Sequence, residues 1–151
     1  MCRVAIDATC YGWGGPNRNE QWTQLRILRE LNKAFVGFNH ALPSEGSPVG
    51  TGNWGCGAFG GCIQLKALLQ WCAASACNRD AKYFTFGDSN AGGLGEVTQI
   101  IQDKSLAVGT LLQLILKYSE AKLSGDVEVL DNVAFERLPS LFKFIQVSLS
   151  T

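Results

Sequence analysis

Gly52-Asn53-Trp54-Gly55-Cys56-Gly57-Ala58-Phe59-Gly60-Gly61 places five glycines within ten residues, and Gly50 adds a sixth just before them. Glycine tolerates positive φ and lets another group approach the backbone closely, so successive N–H groups can turn inward and make a concavity for anionic oxygens. A helix starting directly after the stretch adds its free N–H groups and positive dipole end. A diphosphate suits such a cradle. Spacing alone, however, fits a tight structural turn equally well. No Gly-Lys-Ser/Thr follows, and the glycines do not fall as Gly-x-Gly-x-x-Gly, so an ordinary nucleotide triphosphatase or dinucleotide dehydrogenase is excluded.

On the carboxyl side, Leu65, Leu68, Leu69 and Cys72 share one helical face, with Ile63 and Trp71 widening it, which predicts a helix over about residues 61–77. Tyr83-Phe84-Thr85-Phe86 before Gly87-Asp88 predicts a buried strand closed by a turn. Helical spacing returns over 94–102 and 108–118, where Val108, Leu111, Leu112, Ile115 and Leu116 form one face. On the amino side, residues 3–8 form a β-branched run expected as a strand. Residues 19–38 carry Trp22, Leu25, Leu28, Leu31 and Phe38 at helical spacing. Residues 41–48, with two prolines, read as a loop leading into a short strand at Val49. Residues 127–147, interrupted by Pro139, are left unassigned. Strands alternating with helices predict an α/β layered fold with three strands.

The chain has 151 residues, 46% of them hydrophobic, which suits one modest core. Thirteen basic residues balance thirteen acidic ones, so no global field gathers nucleic acid or an anionic membrane, and an anion needs a local site. No secretory signal or membrane-length apolar run is evident, which predicts an intracellular location, nuclear or cytoplasmic. The six cysteines form no Cys-x-x-Cys pair and are expected as reduced thiols. With His40 the only histidine, a histidine triad or multi-histidine metal site is not expected.

The literal string from Thr51 to Gly61 resembles the signature of the poly(ADP-ribose) glycohydrolase family, far more specifically than its spacing does. Flanking segments resemble the family in the same order: Ile6-Asp7-Ala8, then Arg29-Glu30-Leu31-Asn32-Lys33-Ala34-Phe35 with Gly37-Phe38, Leu65-Lys66-Ala67-Leu68, and Tyr83-Phe84-Thr85-Phe86-Gly87-Asp88. The resemblance implies a partial macrodomain-like three-layer α/β fold, with a short, mostly parallel sheet flanked by helices. It divides the chain into a partial catalytic domain over 1–118 and a tail over 119–151. It also implies ADP-ribose or poly(ADP-ribose) as the ligand, poly(ADP-ribosyl)ated proteins as indirect partners, and hydrolysis of ribose–ribose bonds without a metal or cofactor. On these positions Asn53, Trp54, Gly55, Cys56, Gly57 and Ala58 correspond to the loop around the diphosphate. Phe59 and Phe86 correspond to aromatic positions beside the distal ribose, although for Phe86 a core aromatic is the plain alternative.

The family's catalytic segment, a glycine triplet followed by Gln-Glu-Glu, is absent, since no two acidic residues are adjacent anywhere; the resemblance puts it ahead of residue 1. Glycoside cleavage needs a placed carboxyl to protonate the leaving oxygen. Asp7, Asp88 and Glu96 are the nearest substitutes by position, but none has a motif behind it and each is expected to cap or to face solvent. No catalytic residue is therefore assigned. Cys62 stands where the family usually has Asp, at the expected start of the second helix, and a thiol caps poorly. The expectation is a hydrolase-family chain that holds its ligand but does not cleave it alone. The alternative is a non-catalytic ADP-ribose-binding module or pseudoenzyme, and a third reading is a non-binding remnant or interaction protein.

Overall fold

The computed structural model describes residues 3–40, 47–130 and 135–150. Among the described residues five α-helices and two strands follow in the order α1 (Gln24–His40), β1 (Val49–Gly52), α2 (Ile63–Ala76), β2 (Ala81–Phe84), α3 (Leu94–Asp103), α4 (Val108–Ser124) and α5 (Leu141–Ser150). Short 3-10 turns occupy Arg18–Trp22, Ser89–Ala91 and Val127–Leu130.

β1 and β2 pair in parallel, with Val49 opposite Ala81 and Gly52 opposite Phe84. Parallel neighbours require a crossover, and α2 supplies it. This helix is apolar almost all round and is buried on every side, with Leu68, Leu69, Ala73 and Ala74 fully inaccessible. A helix without a polar face belongs at the centre of a fold. α1, β2, α4 and α5 pack around it, and Trp22, Tyr118 and Phe144 close the main core through tilted aromatic contacts at 5.4 and 5.6 Å. A smaller cluster of Ala34, Phe38, Val49, Ala73 and Ala74 joins α1 to the sheet. The architecture is α/β, with a short parallel sheet flanked by helices.

The sheet has two strands among the described residues rather than three. Residues 3–8 form no ladder. A strand exists only through its pairing, and a gap of about 370 Å³, lined by Ile6, Val49 and Trp54 among others, separates this segment from the free edge of β1. Side chains hold it instead: the Trp54 indole N–H donates to the Ile6 carbonyl at 3.0 Å, and Asp7 pairs with Arg29 and Lys33 of α1.

The helix expected over 19–38 is divided at Thr23, which ends the Arg18–Trp22 turn with extended backbone (ψ 143°). Asn17 and Glu20 cap that turn reciprocally. β2 starts two residues earlier than expected and stops at Phe84, because Phe86 and Gly87 both take positive φ. α4 continues to Ser124 and stops at Gly125, whose left-handed φ of 75° closes the helix. Beyond Pro139, α5 buries Phe142, Phe144 and Ile145 in the main core. Most of the loop expected over 41–48 lies outside the described residues.

Cys72, buried in that core, has its thiol pushed by burial from an ordinary 9.0 to about 12. The folded chain keeps this proton where the unfolded chain loses it, so the contribution is complete below pH 9 and is lost as pH rises towards 12, by at most about 1.4 kcal/mol per pH unit. Urea titrations of reduced wild-type and Cys72→Ala protein at about pH 8 and about pH 11 should therefore show a shallower alkaline loss in the variant. Parallel losses would contradict the assignment.

Candidate functional site

The glycine loop leaves the carboxyl end of β1 and runs into α2. It is built from nested turns: the N–H groups of Trp54, Cys56, Gly60 and Gly61 donate to the carbonyls of Gly52, Asn53, Gly57 and Gly55, at 2.7 to 3.0 Å. Gly55 and Gly60 take φ of 73° and 72°, a region closed to most side chains. By contrast, the N–H groups of Gly55, Gly57, Ala58 and Phe59 find no acceptor among the described residues, and the last three residues are exposed. A row of unpartnered backbone donors on exposed residues is what an anionic group needs. A Cβ on Gly57 would meet nothing within 4 Å, so the space in front of the loop is open.

The eight residues singled out in the sequence divide by what their side chains do. Asn53 is a brace: its amide donates to the Thr85 carbonyl at 3.0 Å and accepts from the Tyr83 hydroxyl at 2.8 Å, tying the loop to β2. Trp54 points inward, bonded to Ile6 and lying over Lys66. The Cys56 thiol donates to the Trp54 carbonyl at 3.5 Å, and burial raises its pKa to about 12, so it is no nucleophile at neutral pH. Gly55, Gly57 and Ala58 present backbone. Phe59 is 44% exposed and accepts the Tyr11 N–H at 2.7 Å. Phe86 is 83% exposed, which excludes the core alternative. Its ring lies over Gly52, where a Cβ would come within 2.8 Å of it, and 6.5 Å from the ring of Phe84.

Beneath the loop lies a polar layer that apolar spacing did not mark. Gln70 of α2 donates to the Gly52 carbonyl at 3.1 Å and accepts from the Thr51 hydroxyl. Lys66, one turn earlier, is 1% exposed and pairs with buried Glu30 of α1. Its Nζ sits 3.9 Å from the centre of the Trp54 ring. Burial pulls the Lys66 ammonium below its ordinary range, with the Arg29 charge adding to the effect. The Glu30 carboxylate in contact with it opposes that shift. Glu30 also accepts from the Thr9 hydroxyl and from Arg29. The available signal was a Lys and a Gln spaced i, i+4 on an otherwise apolar helix.

The three carboxylates singled out in the sequence are engaged by cations, used as a cap or left in solvent. Asp7 is held below the usual carboxylate range by its bonds to Lys33 and then Arg29. Asp88 caps the Ser89–Ala91 turn, accepting from the Asn90 N–H at 2.9 Å. Glu96 is exposed in the first turn of α3. His40 bonds to Val36 in its own helix. Among the described residues no group of three or more His, Cys, Asp or Glu is arranged to hold a metal, and no helix is long and apolar enough to cross a membrane. Cys62 is the N-cap of α2 and makes no side-chain cap bond, while its N–H goes to the buried Gln21 at 2.7 Å.

Phe86 holds a φ of 52°, a conformation that is strained by about 1–3 kcal/mol for a bulky residue, yet its ring is largely in solvent. Phe86→Gly should therefore melt within a few degrees of wild type or above it, by roughly the relief of that strain. A large loss of stability would show that the ring acts as packing.

Comparison with known proteins bears on this geometry. The model of the family described as Poly (ADP-ribose) glycohydrolase (PARG), Macro domain fold, matches residues 1–92. Poly(ADP-ribose) glycohydrolase 1 of Arabidopsis thaliana is 45% identical over 86 residues, covering 56% of this chain and 16% of that protein. Probable poly(ADP-ribose) glycohydrolase 2 of the same plant is 42% identical over 137 residues, covering 65% of this chain and 26% of that protein. Poly(ADP-ribose) glycohydrolase 1 of Caenorhabditis elegans is 33% identical over 115 residues, covering 74% of this chain and 15% of that protein. The chain thus spans about a quarter or less of the length of these relatives. With the family model matching well over half of the chain, through both strands and the glycine loop between them, the chain belongs to the poly(ADP-ribose) glycohydrolase family.

Proposed function

We propose that the chain binds ADP-ribose, free or as a unit of poly(ADP-ribose), with the diphosphate against the loop of Asn53, Trp54, Gly55, Cys56, Gly57 and Ala58. The observation that carries this reading is the run of N–H donors on the exposed residues Gly57, Ala58 and Phe59 that meet no acceptor among the described residues, shortly ahead of the amino terminus of α2. Backbone donors and the helix dipole favour an anion without any cationic side chain. Phe59 and Phe86, both exposed, offer apolar faces to the neighbouring ribose. Family membership supports ADP-ribose over other diphosphates.

The family reaction is hydrolysis of ribose–ribose bonds in poly(ADP-ribose), and it needs a carboxyl at the glycosidic oxygen. In this chain Asp7 is engaged by two cations, Asp88 caps a turn, and Glu96 stands in solvent. The chain alone therefore holds the ligand without cleaving it. Through the polymer it meets poly(ADP-ribosyl)ated proteins inside the cell.

Calorimetric titration with ADP-ribose tests the binding half of this reading. Gly57→Val is the matched control, since its side chain enters open space and leaves the fold intact. Wild type should release heat and the variant should bind at least about tenfold more weakly, a loss of about 1.4 kcal/mol. No heat from folded wild type would reject the binding site. Release of ADP-ribose from poly(ADP-ribose) by the clean chain would reject the non-catalytic half.

A further inference from the structure

Lys66 is 1% exposed, so it is out of reach of a ligand bound at the surface of the loop. Its surroundings are nonetheless the loop itself. Its Nζ lies against the Trp54 ring, and a Cβ added at Gly55 or Gly61 would come within 3.4 Å of its Nζ or its Cε. Gly55 and Gly61 are the two ends of the loop's widest hydrogen bond, Gly61 N–H to Gly55 carbonyl at 2.9 Å. Behind Lys66, Glu30 anchors the ammonium, and Thr9 and Arg29 anchor Glu30.

A buried ammonium without a partner costs far more than one paired and hydrogen-bonded, so the pair fixes where Lys66 can sit. With Lys66 fixed, the face of Trp54 and the Gly55–Gly61 crossing are fixed as well. Glycines supply no side-chain packing of their own, and a loop this rich in them pays the largest entropy to become ordered. An ordered platform beneath it removes that cost before the ligand arrives.

We infer that Lys66, held by Glu30, is the positioning residue of the glycine loop: its ammonium and stem clamp Trp54 and the Gly55–Gly61 crossing so that the donors at Gly57, Ala58 and Phe59 are aimed outward in the empty protein. The consequence for affinity rests on the reading of this loop as the ADP-ribose site, whereas the consequence for loop order does not.

The test replaces both charges at once with Glu30→Gln and Lys66→Met, since removing Glu30 alone strands Lys66, whereas neutralising a buried pair is often tolerated. Amide hydrogen exchange is followed at Gly61 in the loop and at Ile115 in the core of α4. Gly61 should exchange at least about tenfold faster in the double variant while Ile115 keeps its protection, the mark of local rather than global loosening. Its ADP-ribose affinity, measured on folded protein, should fall about tenfold, as expected for a ligand that must now order the loop itself. Unchanged exchange at Gly61, or equal acceleration at Gly61 and Ile115, would overturn the positioning role. Absence of ADP-ribose binding by wild type would instead sink the functional reading, and the exchange arm would still decide the role of Lys66. If the double variant does not fold, Lys66→Met alone leaves Glu30 its partners Arg29 and Thr9 and is read the same way.

Discussion

The buried ion pair between Lys66 and Glu30 is the constraint on which the rest of the arrangement turns. Two charges withdrawn from water are tolerated only where both are satisfied, and here four parts of the chain converge to do so. Glu30 comes from α1, Thr9 from the amino-terminal segment, Lys66 from α2, and the Trp54 face from the glycine loop. Gln70, one turn further along α2 and fully buried, repeats the device by holding Thr51 and Gly52 at the root of the loop. The central helix thus carries its two fully buried polar side chains, Lys66 and Gln70, on the side that meets the loop.

Parallel pairing does the rest. Because β1 and β2 run the same way and Gly52 stands opposite Phe84, the two chain exits lie at one edge of the sheet. The glycine loop leaves one strand and the Phe86–Gly87 bend leaves the other, with Asn53 stitched to Thr85 and Tyr83 between them. Open α/β sheets offer their ligand sites at the carboxyl ends of their strands, where helix amino termini also point. The glycine loop and the exposed aromatic ring are therefore neighbours as a result of topology, although Phe86 lies more than twenty residues beyond the loop.

The sequence was most legible where a residue's role is intrinsic. α2, α3 and the start of α4 follow from apolar spacing, and the loop follows from its glycines and its literal string. It was least legible where a role depends on a partner. Residues 3–8 have strand composition but no ladder, because strand propensity does not create a neighbour. Asn53 and Trp54 belong to the signature string, but their side chains are taken up by bonds to Thr85 and Ile6 within the fold, which spacing does not foretell. Phe86 reads as a strand residue, yet the positive φ that turns it outward is set by the bend around it. Lys66 and Glu30 were visible only as charges on amphipathic or apolar helices, 36 residues apart, and their pairing is a product of how α1 packs on α2.

The central claim is that backbone N–H groups of the glycine loop receive the ADP-ribose diphosphate. Titrating isotopically labelled chain with ADP-ribose while following its amide resonances by NMR tests this most directly. The account predicts that the amides of Gly55, Gly57, Ala58 and Phe59 shift together and saturably, and that adenosine, which lacks the diphosphate, leaves them in place. Saturable shifts confined to other parts of the chain, or equal shifts with adenosine, would contradict it.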